Sequence, residues 1–146
     1  MDVIDRPLTL ELSRRFAASP ERVFDAWTTP EWTDWLGPAT IRSEVLHMDP
    51  RPGGTYRLRV FRPDGTVAES TGTYQEVERP HRLVMTFGAG CSGIETRLAV
   101  TFRADGEGTL MTLYQEGFPD AGLRGNFHEG WSGTGASFDK LERLLS

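Results

Sequence analysis

Only one cysteine, Cys91, stands in 146 residues. No disulfide can form within the chain, and a cysteine-based zinc site lacks its ligands. No apolar run approaches the roughly 20 residues of a membrane-spanning helix, so membrane insertion is not expected. The opening MDVIDRPLTLEL has neither a basic start nor an apolar stretch and does not read as a signal peptide. Residues 1–6 are expected to be disordered, and the expected location is the cytoplasm. Positive charge is in deficit, with 16 Lys and Arg against 21 Asp and Glu and a net charge of -5. That balance argues against nucleic acid or an anionic membrane as a general partner, since both require a basic field.

The usual signatures of chemistry are also missing. The Gly53-Gly54 pair and the Gly106–Gly108 segment sit in turns between strands, not at a strand-to-helix junction, so no phosphate cradle is read. His47, His81 and His128 fall in different elements, and no metal or other cofactor is expected. There is no nucleophile elbow. Cys91 lies in a glycine-rich loop without a basic neighbour and reads as a bystander thiol. No repeat, linker or low-complexity segment divides the chain, which is expected to form one domain over residues 1–146 with a core of its own.

What is present is alternation. LTLELSRRF (Leu8 to Phe16) sets Leu8, Leu10 and Leu12 against Thr9, Glu11 and Ser13, the period of a strand with one buried face. In ASPERVFDAW, Ser19 caps a helix and Pro20 fits its first position, while Arg22 occupies the place of a capping-box glutamate. TPEWTDWLGP repeats the signal, with Thr29 as cap and Gly37-Pro38 as the stop. The strands TIRSEVLHMD, TYRLRVF, VAESTGTYQEVE, RLVMTF, ETRLAVTFRA and TLMTLYQEGF follow. The turns RPGG, PDG, RPH and DGEG join them, with GAGCSG as a flexible link. From about Ala121 the pattern turns helical, with Trp131, Thr134, Phe138, Leu141 and Leu145 on one face. This order predicts an α+β fold: an antiparallel sheet of six to seven strands, two short helices after the first strand, and a long C-terminal helix over the apolar face.

That last helix keeps Gly130, Gly133 and Gly135. Each glycine in a helix costs roughly 1 kcal/mol relative to alanine. Two readings stand: a bare surface above open space, or a bend or break in the helix.

The segment FAASPERVFDAWTTPEWTDWLGP carries Pro20, Val23, Phe24, Ala26-Trp27, Pro30, Trp35 and Gly37-Pro38. Together with RPGGTYRLRV, PDG, TGTYQEVERPHRLVMTF, GTLMTLYQEGFPD and the terminal GW and FDKLERLL, it resembles the bacterial relatives of the activator of the Hsp90 ATPase. These belong to the START-like, helix-grip superfamily. The resemblance implies a curved sheet gripping the C-terminal helix, with an apolar cavity between them. Members of the superfamily bind lipids or hydrophobic small molecules, close rings, or assist a chaperone.

Candidate cavity residues follow from that implied fold. Trp35, Tyr56, Phe87 and Trp131 read equally as lining or as core, whereas Phe24, Trp27 and Phe102 read as core. Met85 on its strand, and Phe127, Gly133 and Phe138 on the helix, complete the apolar set. By the two-residue period Met111, Leu113 and Gln115 share one face. Gln115 then either orients a ligand or satisfies a neighbouring backbone group. The preferred function is binding of a small hydrophobic or aromatic ligand without catalysis. A cyclase- or dehydratase-type enzyme is the alternative, with Gln115, His128 and Glu129 as its only candidates for polar chemistry. A stress-response partner of an Hsp90-type chaperone ranks last, for want of an obvious docking tail. A homodimer stays open.

Overall fold

The computed structural model describes residues 8–38, 40–88 and 93–146. The expectations for residues 1–6 and for Cys91 lie outside them. Seven strands form one antiparallel sheet: β1 (Leu8–Phe16), β2 (Arg42–Met48), β3 (Thr55–Phe61), β4 (Val67–Glu78), β5 (Arg82–Phe87), β6 (Thr96–Asp105) and β7 (Gly108–Phe118). Their spatial order is β1-β7-β6-β5-β4-β3-β2. From β2 onward each strand pairs with the next in sequence, and only β1 pairs out of order, with β7. The chain must therefore travel from one edge of the sheet to the other between Phe16 and Arg42. Helices α1 (Pro20–Thr28) and α2 (Trp32–Trp35) make that crossing, α1 against β6 and β7 and α2 against β2.

Alternation sets the faces. Tyr56, Leu58 and Val60 are buried while Arg57 and Arg59 between them pair with Glu69 and Glu44. Met111, Leu113 and Gln115 are fully buried on one face of β7. The register shifts between Leu8 and Thr9, between Val45 and His47, and between Tyr74 and Glu76. Each irregularity bends its strand and raises the local twist, which curves the sheet.

The helix starts obey local chemistry. The Ser19 hydroxyl accepts from the Arg22 N–H at 3.2 Å with Pro20 in the first turn, so α1 begins as the sequence predicts. The cap expected at Thr29 does not form. Its hydroxyl donates instead to the Asp25 carbonyl at 2.8 Å and closes α1, and α2 is a single turn entered through the Trp32 N–H to Thr29 carbonyl bond.

The C-terminal helix comes in two pieces, α3 (Ala121–Ser132) and α4 (Ser137–Leu145). Of the two readings of the glycines, the break is the one adopted, and Thr134 sits exposed within it instead of on a helical stripe. Gly135 has φ +73°, a conformation that side chains rarely tolerate. At Gly133 a Cβ would lie 2.5 Å from the Glu129 carbonyl oxygen. Past the break, Asp139 accepts from the Gly135 N–H at 2.8 Å through one oxygen and from Arg14 at 2.8 Å through the other. Arg14 also reaches Glu142 at 2.9 Å, so α4 is tied to β1.

The Gly135 amide first, and then Arg14, hold the Asp139 carboxyl below its ordinary pKa of 3.8. A depressed carboxylate pKa stabilises the fold above the unfolded-state value, and that contribution is lost as pH falls through the folded-state value. Thermal melts between about pH 6 and about pH 3 should show the wild type losing more stability than Asp139→Asn, the gap closing at the acid end. Parallel losses would show that the charge on Asp139 contributes nothing.

Candidate functional site

The sheet's inward side chains change character along its width. Under α1 and α2 they meet a block of aromatic rings. The Trp27 ring centre lies 4.8 Å from Trp35, 5.7 Å from Trp131 and 6.3 Å from Trp32. The Trp27 indole N–H points at the Met111 sulfur at 3.3 Å, and that of Trp35 donates to the Ala26 carbonyl at 3.0 Å. Phe24 and Phe102 pack edge-on at 5.3 Å. This half is solid.

Farther along β3 and β4, past Tyr56 and Tyr74, the floor is made of smaller side chains, Leu58, Val60 and Ser70, with Phe87 of β5 beside them. Leu36, Gly37 and Ile41 form a wall with Ser43 of β2, and Leu123, Phe127 and Trp131 of α3 form the roof. A cavity of about 670 Å³ lies between. That falls inside the range of roughly 300–1,000 Å³ of small-molecule sites. Polar residues stand at its rim: Arg62, Asn126, Glu129 and Thr134.

Two sets of hydrogen bonds fix the roof. The Trp131 indole N–H donates to Gln115 Oε1 at 3.0 Å, Gln115 Nε2 donates to Thr96 Oγ1 at 2.8 Å, and the Thr96 hydroxyl donates to the Phe87 carbonyl at 2.7 Å. All four residues are buried. At the break, the Ser137 hydroxyl accepts from the Gly37 N–H at 2.8 Å and donates to the Gly130 carbonyl at 2.8 Å. The end of α3, the start of α4 and the loop after α2 thus meet at one side chain.

Of the residues singled out from the sequence, Phe87, Phe127, Trp131 and Gly133 border the cavity. Trp35, Tyr56, Met85, Met111, Leu113, Gln115 and Phe138 are buried beside it in the core and do not form its wall. The reason is the aromatic block, which fills the space beside Trp35 and Met111, while Tyr56 lies under Trp32 at 5.0 Å and donates to the Thr86 carbonyl. Gln115 turns inward as expected, but its two bonds go to the side chains of Trp131 and Thr96, not to a backbone group. His47, His81 and His128 are exposed, and Glu129, at the rim, has its side chain 78% exposed. Leu58, Val60 and Ser70 escaped the sequence reading. The first two share the face of Tyr56 by alternation and Ser70 that of Tyr74, but only the β3–β4 register sets Ser70 opposite Leu58.

A family model described as "Activator of Hsp90 ATPase homolog 1-like protein" matches residues 17–146. The chain is similar to the crystal structure of a Chromobacterium violaceum protein, at 29% identity and a TM-score of 0.83, over 94% of this chain and 96% of that one. A Nitrosomonas europaea protein gives 25% identity and a TM-score of 0.81, over 94% of each chain. CalU16 of Micromonospora echinospora, at 20% identity and a TM-score of 0.69 over 96% of this chain and 77% of that one, shares the fold. No curated protein matches. Among the described residues no helix is long and apolar enough to cross a membrane.

Replacing Gln115 by leucine would strand the buried Trp131 N–H, a loss of about 1–3 kcal/mol. Urea unfolding of Gln115→Leu should show it, and adding Trp131→Phe should cost less than it does in the wild type. Strict additivity of the two changes would mean that they are not coupled.

Proposed function

The chain belongs to the activator of Hsp90 ATPase homolog 1-like family, and from that premise we propose that it binds a small, largely apolar molecule in the cavity under α3. The observation that carries this reading is the cavity itself. Protein interiors are close-packed, with few voids larger than a water molecule. Here a cleft of about 670 Å³ reaches in from exposed Asn126, Glu129 and Thr134 to Leu58, Val60 and Phe87, under a roof tied by the hydrogen bonds of Gln115 and Ser137. Apolar surface facing water is unfavourable by about 25 cal/mol per Å², and an apolar guest removes that term.

Binding is favoured over proton-transfer chemistry by what faces the space. Inside the rim of Arg62, Asn126, Glu129 and Thr134, the lining residues supply carbon, hydroxyl, indole and backbone groups. The Glu129 carboxylate stands out in water and the histidines are exposed. A general acid or base must lie within hydrogen-bond reach of the reacting group. A reduced, cytoplasmic setting suits a chain with one cysteine.

Gly130 is the position at which to close the site. It lies three residues after Phe127 and seven after Leu123, on the same face of α3, and a Cβ there meets nothing within 4 Å. Leucine also favours the helix over glycine by roughly 1 kcal/mol. Titration with phenylnaphthylamine, read by its own emission and by quenching of the tryptophan emission, should show binding to the wild type. Gly130→Leu should weaken that binding about tenfold or more, with an unchanged or raised melting temperature. Equal binding by both proteins would place the ligand elsewhere.

A further inference from the structure

Among the described residues, three buried side-chain polar atoms have no hydrogen-bond partner: Trp32 Nε1, Ser70 Oγ and the Tyr74 hydroxyl. Two of them belong to rings inside the aromatic stack, where Trp32 lies 5.0 Å from Tyr56, and Tyr56 lies 5.7 Å from Tyr74. Neither Trp32 nor Tyr74 borders the cavity. Ser70 does, at the floor, 1% exposed and directly opposite Leu58 on the neighbouring strand. A hydroxyl in that position is destabilising unless something completes its hydrogen bond, and alanine would avoid the penalty. The described neighbours do not complete it.

We propose that the Ser70 hydroxyl is the polar anchor of the cavity, and that the ligand carries an uncharged oxygen, as a ketone, phenol or alcohol, which docks inward on Ser70. The proposal rests on the cavity reading above. The apolar body of the molecule then lies along Leu58 and Val60, beneath Phe127 and Trp131. A serine hydroxyl can donate to a carbonyl or accept from a phenol, so one side chain serves the whole class. An ionised inner end is disfavoured. It would be stripped of water with a single hydroxyl as compensation, and a buried charge needs a paired, fully hydrogen-bonded setting. The charged groups of the lining, Arg62 and Glu129, stand at the rim, so an ionised group is admitted only at the outer end.

Two fluorescent probes test this. Prodan is a naphthalene bearing a ketone, and its emission moves to the red when that ketone accepts a hydrogen bond. Diphenylhexatriene is a hydrocarbon of comparable bulk. Ser70→Ala should bind Prodan about five- to tenfold more weakly and shift the bound emission to the blue. Diphenylhexatriene should bind both proteins equally or the variant slightly better. The melting temperature should hold or rise, since an orphaned hydroxyl is removed. Unchanged Prodan affinity and emission, with diphenylhexatriene still bound and still excluded by Gly130→Leu, would overturn the role of Ser70 and leave the cavity reading standing. Failure of the wild type to bind either probe would overturn both.

Discussion

The fold above the sheet depends on one buried amide. Gln115 sits at the inward face of β7 with its oxygen on the Trp131 indole and its nitrogen on Thr96. A fully buried amide is tolerated only when it is bonded, and a bonded one is directional, so the pair fixes where the end of α3 stands relative to the sheet. Apolar packing alone would let the helix settle until the space beneath it closed. A hydrogen bond of 3.0 Å between fixed groups holds the roof at one height. Thr96 passes the constraint on to the Phe87 carbonyl, at the very strand whose ring lines the cavity.

The second constraint is uneven filling. Trp27, Trp32, Trp35 and Trp131 come from three helices and converge in one block that rests on Met111, Tyr56 and Phe87. Their edge-on and tilted contacts each add about 0.5–1.5 kcal/mol beyond burial. That volume is concentrated on one side. On the other, the strands offer Leu58, Val60 and Ser70, and α3 offers Gly130, so the same curved sheet is packed solid at one end and hollow at the other. The rings that bound the hollow are themselves held: Phe127 rests on Phe118 at 5.5 Å and on Phe87 at 6.1 Å.

Much of this is legible in the residues. The strands of the sheet are found to within a residue or two, most directly where alternation sets a buried face against a wet one, as Tyr56, Leu58 and Val60 against Arg57 and Arg59 show. The same period turns Gln115 inward. It does not find the partner, because Trp131 is a tertiary neighbour whose position depends on a helix packed from 16 residues away. The cavity wall is less legible for a related reason. Trp35, Tyr56 and Met111 have the chemistry of a lining, but Trp27 fills the space beside Trp35 and Met111 and Trp32 covers Tyr56, and no pattern along the chain reports what is across the gap. Ser70 looks like any serine in a strand until register places it opposite Leu58.

The glycines near the C-terminus show how one composition signal divides into separate causes. A Cβ at Gly133 would press on the Glu129 carbonyl, and Gly135 adopts a positive φ, so both are required by the turn that separates α3 from α4. That turn lets α4 fold back to place Phe138 and Leu141 in the core and to meet Arg14 through Asp139. Gly130 is different. It lies within α3, without a positive φ, and a side chain there would meet no atom. Its helix penalty of about 1 kcal/mol has no backbone justification. Gly130 borders the cavity, three residues along α3 from Phe127. Two of the three glycines are thus demanded by the backbone of the turn, and the third stands at the edge of the cavity, where the backbone makes no such demand.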